Sequence, residues 1–468
     1  MTARRGSESA DPPTARAEPG TIGIVLAAGR GTRMRSALPK VLHPIGGLPL
    51  IGHLLRALCA AGAGRIVVVT GHGAEAVESG CRAEAAGATD LRFVRQEPQR
   101  GTGDAVRTAL GALGASAGTL LIVNGDLPLL GPETLGGLLE RHRAARAALT
   151  ILSLVREDPA GYGRLVRDPR GTIARVVEEK DASPTEKRIA EVNGGIYAAE
   201  LAALLPALAA WCEREEGRLA RGDPGPSEIY FPPVIEPIAA AGGTVADWPL
   251  PAERADDLQQ VNDRRELAVA ADRLRHRWIA AHQLAGVTVV DPAQTWIECD
   301  VEIGADTTIQ PGCVIRRGVR IGRDCDVGPY AHLREGTVLE DDVQIGNFVE
   351  VKKTRIGRGS RAKHLTYLGD GEIGERVNIG AGTVLANYDG RRKSTTRIGD
   401  GVFIGSGTII VAPAEIGAEA RTGAGAVVTR GQKVPAGETV IGVPARPLRR
   451  AGEGGEPPAR PAGPASER

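Results

Sequence analysis

The spacing of apolar positions changes character part-way along the chain. Thr21–Leu26 (TIGIVL) is a short, partly β-branched run that stops at Ala27-Ala28-Gly29, which predicts a strand feeding a glycine-rich loop. Ile66–Thr70 and Leu120–Val123 are similar runs, separated by Ala/Leu-rich stretches that read as helices. Pro132-Glu133 opens a helix with Leu135, Leu138 and Leu139 on one stripe, since Pro is tolerated and Glu favoured in a first turn. Strands alternating with helices predict a parallel sheet covered on both faces, over residues 21–252. From Asp256 to Leu284 the chain is rich in Arg, Glu, Ala and Leu without Gly or Pro, so 253–286 is expected to be a helical linker.

Beyond it an aliphatic residue recurs every six positions, from Ile303, Ile309 and Ile315 through to Ile345 and Val351. The phase is lost over 352–372, returns at Ile373, Ile379 and Leu385, and resumes at Ile398 after the insertion NYDGRRKSTT. Helices repeat near 3.6 and strands near 2, so a sustained period of six implies a solenoid with one aliphatic residue pointing inward per side. The expected solenoid spans 287–446, with 1–20 and 447–468 as flexible extensions.

Composition sharpens this picture. Of 468 residues 63 are Gly and only 3% aromatic, which favours repeated tight turns over a large aromatic core. A net charge of +1 gives no global field for nucleic acid or anionic lipid, so no nucleic-acid partner and no stable membrane association are expected. Six scattered cysteines without a CxxC pair argue against a disulfide scaffold or structural zinc, and a reducing cytoplasm is the expected location.

Chemistry-bearing residues gather in two places. Leu26-Ala27-Ala28-Gly29-Arg30-Gly31-Thr32-Arg33 after the first strand, with Lys40 beyond, offers bare backbone N–H groups and two cations to a polyphosphate; a merely structural turn is the alternative. Gln96 could read a base edge by paired hydrogen bonds, with Gly101-Thr102 against its face. Asp126 ends a strand, where a carboxylate serves either as a Mg²⁺ ligand or as a helix cap. In the solenoid, Arg334, Lys352, His364, Tyr367 and Asn378 lie where the period breaks. His364 is there either an incidental surface-loop histidine or a base for an attacking amine.

The motifs LAAGRGTRM with PK, QEPQRGTG, GD, YGR, VEEKDA and VN, followed by NFVEVKK, HLTYLGD and NIGAGTVLANYDG, resemble the bifunctional bacterial N-acetylglucosamine-1-phosphate uridyltransferase/glucosamine-1-phosphate acetyltransferase family over residues 21–445. That resemblance implies an α/β Rossmann-like nucleotidyltransferase domain followed by a left-handed parallel β-helix, in a cytoplasmic homotrimer with acetyl-transfer sites between subunits. It implies Mg²⁺ at Asp126 and Asn262, with acetyl-CoA and UTP as substrates. Arg33 and Lys40 would promote uridylyl transfer; Leu26, Ala27, Gly29, Gln96, Gly101, Thr102, Gly163, Glu178 and Asn193 would contact UTP or the product. His364 would be the general base; Arg334, Lys352, Tyr367 and Asn378 would bind glucosamine-1-phosphate, and Ala381, Asn387, Tyr388, Ser406 and Ala424 acetyl-CoA. The product would feed cell-wall and lipopolysaccharide precursors.

Three departures stand out. Gly194 replaces a small hydroxyl or methyl residue, Phe231-Pro232-Pro233 replaces a Thr-Asp pair, and Gly442 stands near the place of an Arg for the CoA phosphate. Arg446 or Arg449-Arg450 are the candidates to supply that contact. A monofunctional nucleotidyltransferase with a structural β-helix, and a noncatalytic scaffold, are the competing functions.

Overall fold

A computed structural model describes residues 20–85, 90–114 and 117–448. The expected terminal extensions, apart from Gly20, Pro447 and Leu448, and the Arg449-Arg450 pair lie outside them. The chain divides into two compact units, Met1–Leu274 and Arg275–Arg468.

In the first unit a mixed sheet runs, edge to edge, Val245–Pro249, Leu149–Val155, Glu191–Glu200, Thr119–Asn124, Thr21–Leu26, Arg65–Thr70, Asp90–Arg95. The all-parallel expectation fails at Glu191–Glu200, which is antiparallel to both neighbours. The segment leading to it carries the hairpin Arg164–Arg167/Ile173–Val177 and no helical crossover, and a parallel return needs such a crossover. One face is covered by Leu50–Ala60, Ala74–Glu84 and Pro132–Ala145, where Leu135, Leu138 and Leu139 are buried as their spacing requires. The other is covered by Thr102–Gly111 and Leu201–Arg221. Successive strands pass from Thr21–Leu26 to one side and then return to Thr119–Asn124 on its other side. That reversal opens a crevice at the carboxyl ends of these two strands, where open α/β sheets hold ligands.

The expected helix from 256 is broken. A 3-10 helix, Ala252–Leu258, gives way to an irregular stretch through Asp263, and the long helix is Arg264–Leu284. Asp263 Oδ1 accepts from Glu266 N (2.8 Å) while Glu266 Oε2 accepts from Asn262 N (2.7 Å), a reciprocal cap that starts the helix there. The division between units falls inside this helix. Ile279 packs into the solenoid core, and Arg275 Nη1 reaches the carbonyls of Pro292 (2.5 Å), Ala293 (2.7 Å) and Thr295 (3.2 Å). The latter half of the expected linker is therefore the cap of the second unit.

That unit is a three-sided solenoid whose sheets contain ten, eight and eight short strands. Ile309, Ile315, Ile321 and their successors fill one narrow core, each burial being worth about 1.5–3 kcal/mol. The expected break over 352–372 is corrected: the strands Arg355–Ile356, Arg361–His364 and Tyr367–Gly369 continue all three sheets, and Ile356, Ala362 and Leu368 continue the core. Ile356 and Ile373 each arrive one residue early because the turns before them are shortened. Residues 17 apart, such as Asn347 and His364, therefore stack where other coils stack residues 18 apart.

Candidate functional sites

The crevice of the first unit is built around Lys40. Gly31, with φ 60°, belongs to the turn entering the 3-10 helix Thr32–Met34, and a Cβ there would lie 2.6 Å from Lys40 Cβ. Only a glycine lets the loop close over that lysine. Lys40 Nζ lies 2.5 Å from Asp126 Oδ2 and 3.1 Å from Asn262 Oδ1, so residues from three distant segments converge on one cation. Asp126 Oδ1 is buried without a hydrogen-bond partner. No group of three His, Cys, Asp or Glu residues is arranged to hold a metal among the described residues. One carboxylate with an orphaned oxygen plus one amide oxygen nevertheless fits Mg²⁺, which takes most of its ligands from water and phosphates.

Two cavities meet there. The smaller, about 340 Å³, is lined by Leu26, Ala27, Gly29, Lys40, Gln96, Gly101, Thr102 and Asp126. Gln96 does not offer the expected paired contact: its Nε2 donates to Gly101 O and Asp104 Oδ2, both at 2.9 Å. Its carbonyl oxygen is the group left for a base N–H. Thr102 Oγ1 accepts from Phe231 N (3.0 Å), so it also braces the loop. Gln99, missed in the sequence, donates from Nε2 to Ala28 O (2.5 Å) and ties this wall to the glycine-rich loop.

The larger cavity, about 930 Å³, is lined by Arg33, Gly163, Glu178, Asn193 and Asn262 and shares Leu26, Thr102 and Asn124 with the smaller. Burial, and next the nearby Asp181, raise the Glu178 carboxyl above its ordinary range. Asn193 Nδ2 donates to Tyr197 Oη (2.7 Å), whose phenol burial pushes well above its usual titration. The two departures nearby are packing solutions. A Cβ on Gly194 would lie 2.7 Å from Leu152 Cδ2 and 2.9 Å from Leu258 Cδ1, so these leucines occupy the space of the missing side chain. Phe231 packs edge-on to Tyr197 at 4.9 Å.

In the solenoid the expected acetyl-transfer residues fall on two corners. His364 ends its strand beside Asn347, Nδ1 to Oδ1 2.9 Å. Because that oxygen only accepts, Nδ1 carries the proton and Nε2 keeps its lone pair. Ala381, Ser406 and Ala424 continue this corner in successive coils, through Gly407 N to Ala381 O (2.7 Å) and Gly425 N to Ser406 O (2.8 Å). Asn378 lies on the same sheet as His364, paired with Arg361. Gly442 follows Ala424 at the end of the file, and Arg446 pairs back against Ile441.

The next corner carries Arg334, Lys352, Asp370 and Asn387. Arg334 N donates to Val351 O (2.8 Å), Asp370 N to Lys352 O (2.9 Å), and Asn387 Nδ2 bonds Asp370. Arg334 pairs with Glu350 at 2.8 Å, and the Tyr367 hydroxyl lies over Gly369 at this corner. Tyr388, the second residue of the insertion, bridges to Lys393. The Lys352 ammonium is held below its ordinary range by Lys393 first, then by loss of solvation and by Arg334. Asn347 and Lys393 were missed in the sequence. The 17-residue coil would have revealed Asn347, whereas nothing in the insertion singles out Lys393 from its arginine neighbours.

Comparisons with known proteins agree with both halves. Residues 23–218 match the MobA-like NTP transferase domain, and residues 300–335 and 395–430 match the bacterial transferase hexapeptide (six repeats). With the latter, the solenoid is the left-handed parallel β-helix. The chain is 45% identical to Bifunctional protein GlmU of Trichlorobacter lovleyi over 88% of its length and 93% of that protein. It is 42% identical to the protein of the same name from Kineococcus radiotolerans, covering 95% and 93%. To that of Mycolicibacterium paratuberculosis it is 41% identical, covering 90% of each.

Proposed function

The chain belongs to the family of bifunctional GlmU proteins, and from that premise we propose how its residues divide the two reactions. It is an enzyme that acetylates glucosamine-1-phosphate with acetyl-CoA and then transfers UMP from UTP to the N-acetylglucosamine-1-phosphate, releasing pyrophosphate. The observation that carries the division is the convergence of Lys40, Asp126 and Asn262 in one unit and the tautomer-fixed His364 in the other.

In uridylyl transfer the sugar phosphate oxygen attacks the α-phosphorus of UTP and pyrophosphate leaves. Arg33 and Lys40 offset the charge spread over the phosphoryl oxygens, and the Gly29–Gly31 backbone cradles them. Mg²⁺ held by Asp126 and Asn262 would neutralise phosphate oxygens. Leu26, Ala27, Gln96, Gly101 and Thr102 seat the nucleotide, and Gly163, Glu178 and Asn193 the sugar.

In acetyl transfer the substrate ammonium gives its proton to His364 Nε2. The freed amine attacks the thioester carbonyl, and the CoA thiolate leaves with a proton. Arg334, Lys352, Tyr367 and Asn378 hold the sugar phosphate; Ala381, Asn387, Tyr388, Ser406 and Ala424 hold acetyl-CoA. His364 and Lys352 occupy different corners of one solenoid, which supports a homotrimer whose neighbouring subunits complete each site. Exposed Tyr330, Phe348 and Leu365, rising along the His364 corner, are apolar surface such an interface would cover. Domain limits of 21–252 and 287–446, with the intervening segment shared between units, and a cytoplasmic location complete the reading.

The test incubates purified protein with glucosamine-1-phosphate, acetyl-CoA, UTP and Mg²⁺ and follows CoA and pyrophosphate separately. Both should appear. Pyrophosphate from added N-acetylglucosamine-1-phosphate without CoA release from glucosamine-1-phosphate would leave a monofunctional nucleotidyltransferase.

A further inference from the structure

The insertion that interrupts the hexads is an ordered hairpin with a defined attachment at its tip. Its base is closed by Ser394 N to Asn387 O (2.9 Å) and tied to the preceding coil by Thr396 N to Asp370 O (3.2 Å). Tyr388 and Lys393 pair across it. At the tip, Asp389 Oδ1 accepts from the backbone N–H groups of Arg391 (2.9 Å) and Arg392 (2.7 Å). Its other oxygen, Oδ2, accepts from Arg430 Nη1 at 2.8 Å, and Arg430 lies 41 residues further on, in a later coil. One carboxylate thus closes the turn and fastens it to the solenoid.

We propose that Arg430 is a positioning residue for acetyl transfer: acting through Asp389, it holds the insertion so that Lys393 stands beside Lys352 at the phosphate end of the acceptor site. The proposal rests on the assignment of Lys352 to the sugar phosphate. Two adjacent ammonium groups repel, so the hairpin carrying one of them needs an anchor to keep it there before a dianionic phosphate arrives. The chain of contacts brings the two together: Lys393 pairs with Tyr388 beside Asn387, Asn387 Nδ2 bonds Asp370, and Asp370 N donates to Lys352 O (2.9 Å). Lys393 is also first among the groups that hold the Lys352 ammonium below its ordinary range. Asp389 in turn is held far below the usual carboxylate range, by the Arg392 N–H first and Arg430 next. The repulsion has a use, because a doubly charged phosphate between two cations relieves it.

The test uses the full chain and follows CoA release while glucosamine-1-phosphate is varied. Arg430→Met should raise KM for glucosamine-1-phosphate roughly two- to fivefold, a surface ion pair being a modest restraint. It should leave kcat within about twofold and pyrophosphate release unchanged, since the second reaction uses the other unit. Arg430→Lys should restore most of the affinity. Asp389→Asn, which keeps an oxygen for the backbone N–H groups but drops the charge, should reproduce Arg430→Met if that variant fails to fold. Lys393→Met should raise the same KM, and adding Arg430→Met to it should change nothing further. A purely structural role would not give that masking. An unchanged KM in folded Arg430→Met, or an increase that multiplies on that of Lys393→Met, overturns the proposal. Lys352→Ala separates the two levels: if it leaves KM unchanged the phosphate assignment falls and Arg430 with it, whereas a large rise there beside none in Arg430→Met removes Arg430 alone.

Discussion

Replacing His364 by Ala should disable acetyl transfer while leaving uridylyl transfer intact. The substrate amine arrives as an ammonium and must lose a proton before it has a lone pair for the thioester. The geometry supplies one acceptor, Nε2, because Asn347 Oδ1 at 2.9 Å keeps the proton on Nδ1. A positioned general base contributes about 100- to 10,000-fold, roughly 3–5 kcal/mol of barrier. Asn347→Ala should cost much less. It removes one hydrogen bond worth about 0.5–1.5 kcal/mol, or roughly 2- to 13-fold if the whole loss falls on orienting the ring. CoA release and pyrophosphate release are measured on the same preparation, with N-acetylglucosamine-1-phosphate supplied for the second. A folded His364→Ala protein with wild-type acetyl transfer from pH 6 to 9 would refute the assignment. So would an Asn347→Ala loss as large as that of His364→Ala.

Asp126→Ala should lower pyrophosphate release roughly 100- to 1,000-fold, as loss of one transition-state charge contact does, and leave CoA release unchanged; equal losses of both activities in folded protein would contradict separate sites. A fragment from Arg275 onward should unfold cooperatively in urea at higher concentration than one from Gly286, which lacks the buried Ile279 and the three Arg275 contacts; the Ile279 side chain alone is worth about 1.5–3 kcal/mol, and coincident melts would count against the helix as a cap. Glu178 has a native titration raised mainly by burial, so its contribution to stability is present at pH 4, below the unfolded carboxyl value, and is lost as pH rises through the native one. Glu178→Gln should therefore raise Tm at pH 7.5 more than at pH 4, and a shift independent of pH would show that burial of the charge is not the cause.

Legibility differed sharply between the two units. The solenoid could be read from Ile309, Ile315 and Ile321 alone, because each side of a narrow core admits one inward aliphatic residue. The stretch over 352–372 could not, since a turn one residue shorter shifts the phase as a loop would. Stacking on Leu339, Ile345 and Val351 is what keeps Ile356, Ala362 and Leu368 in file. In the first unit, Lys40 and Asp126 lay at strand and loop ends where chemistry was expected. Asn262 is 222 residues from Lys40, and no local pattern marks it; only the family resemblance did. Gln96 lines a cavity with Gly101 and Thr102, but Asp104 and the Gly101 carbonyl compete for its amide, and neither competitor is visible before the chain folds.

The coil lengths have a further consequence. Stacked residues are separated by 20 positions in the first coil, by 18 in most others, by 17 around His364, and by 25 across the Asp389 hairpin. The shortened coils and the hairpin change length at one edge of the prism, the edge bearing Lys352, Asp370 and Asn387, whereas the first coil gains its two residues between Val289 and Ile297, at the edge His364 occupies further along. Because a rung is recognised only by the rungs above and below it, that edge can gain or lose residues without moving any other. The corner proposed for the acceptor phosphate thus takes up the hairpin and both shortenings without displacing the rungs on the other edges. Reshaping it by changing loop length would leave the edge of His364 untouched, giving engineers and evolution a dial for acceptor preference that is mechanically uncoupled from the proposed base.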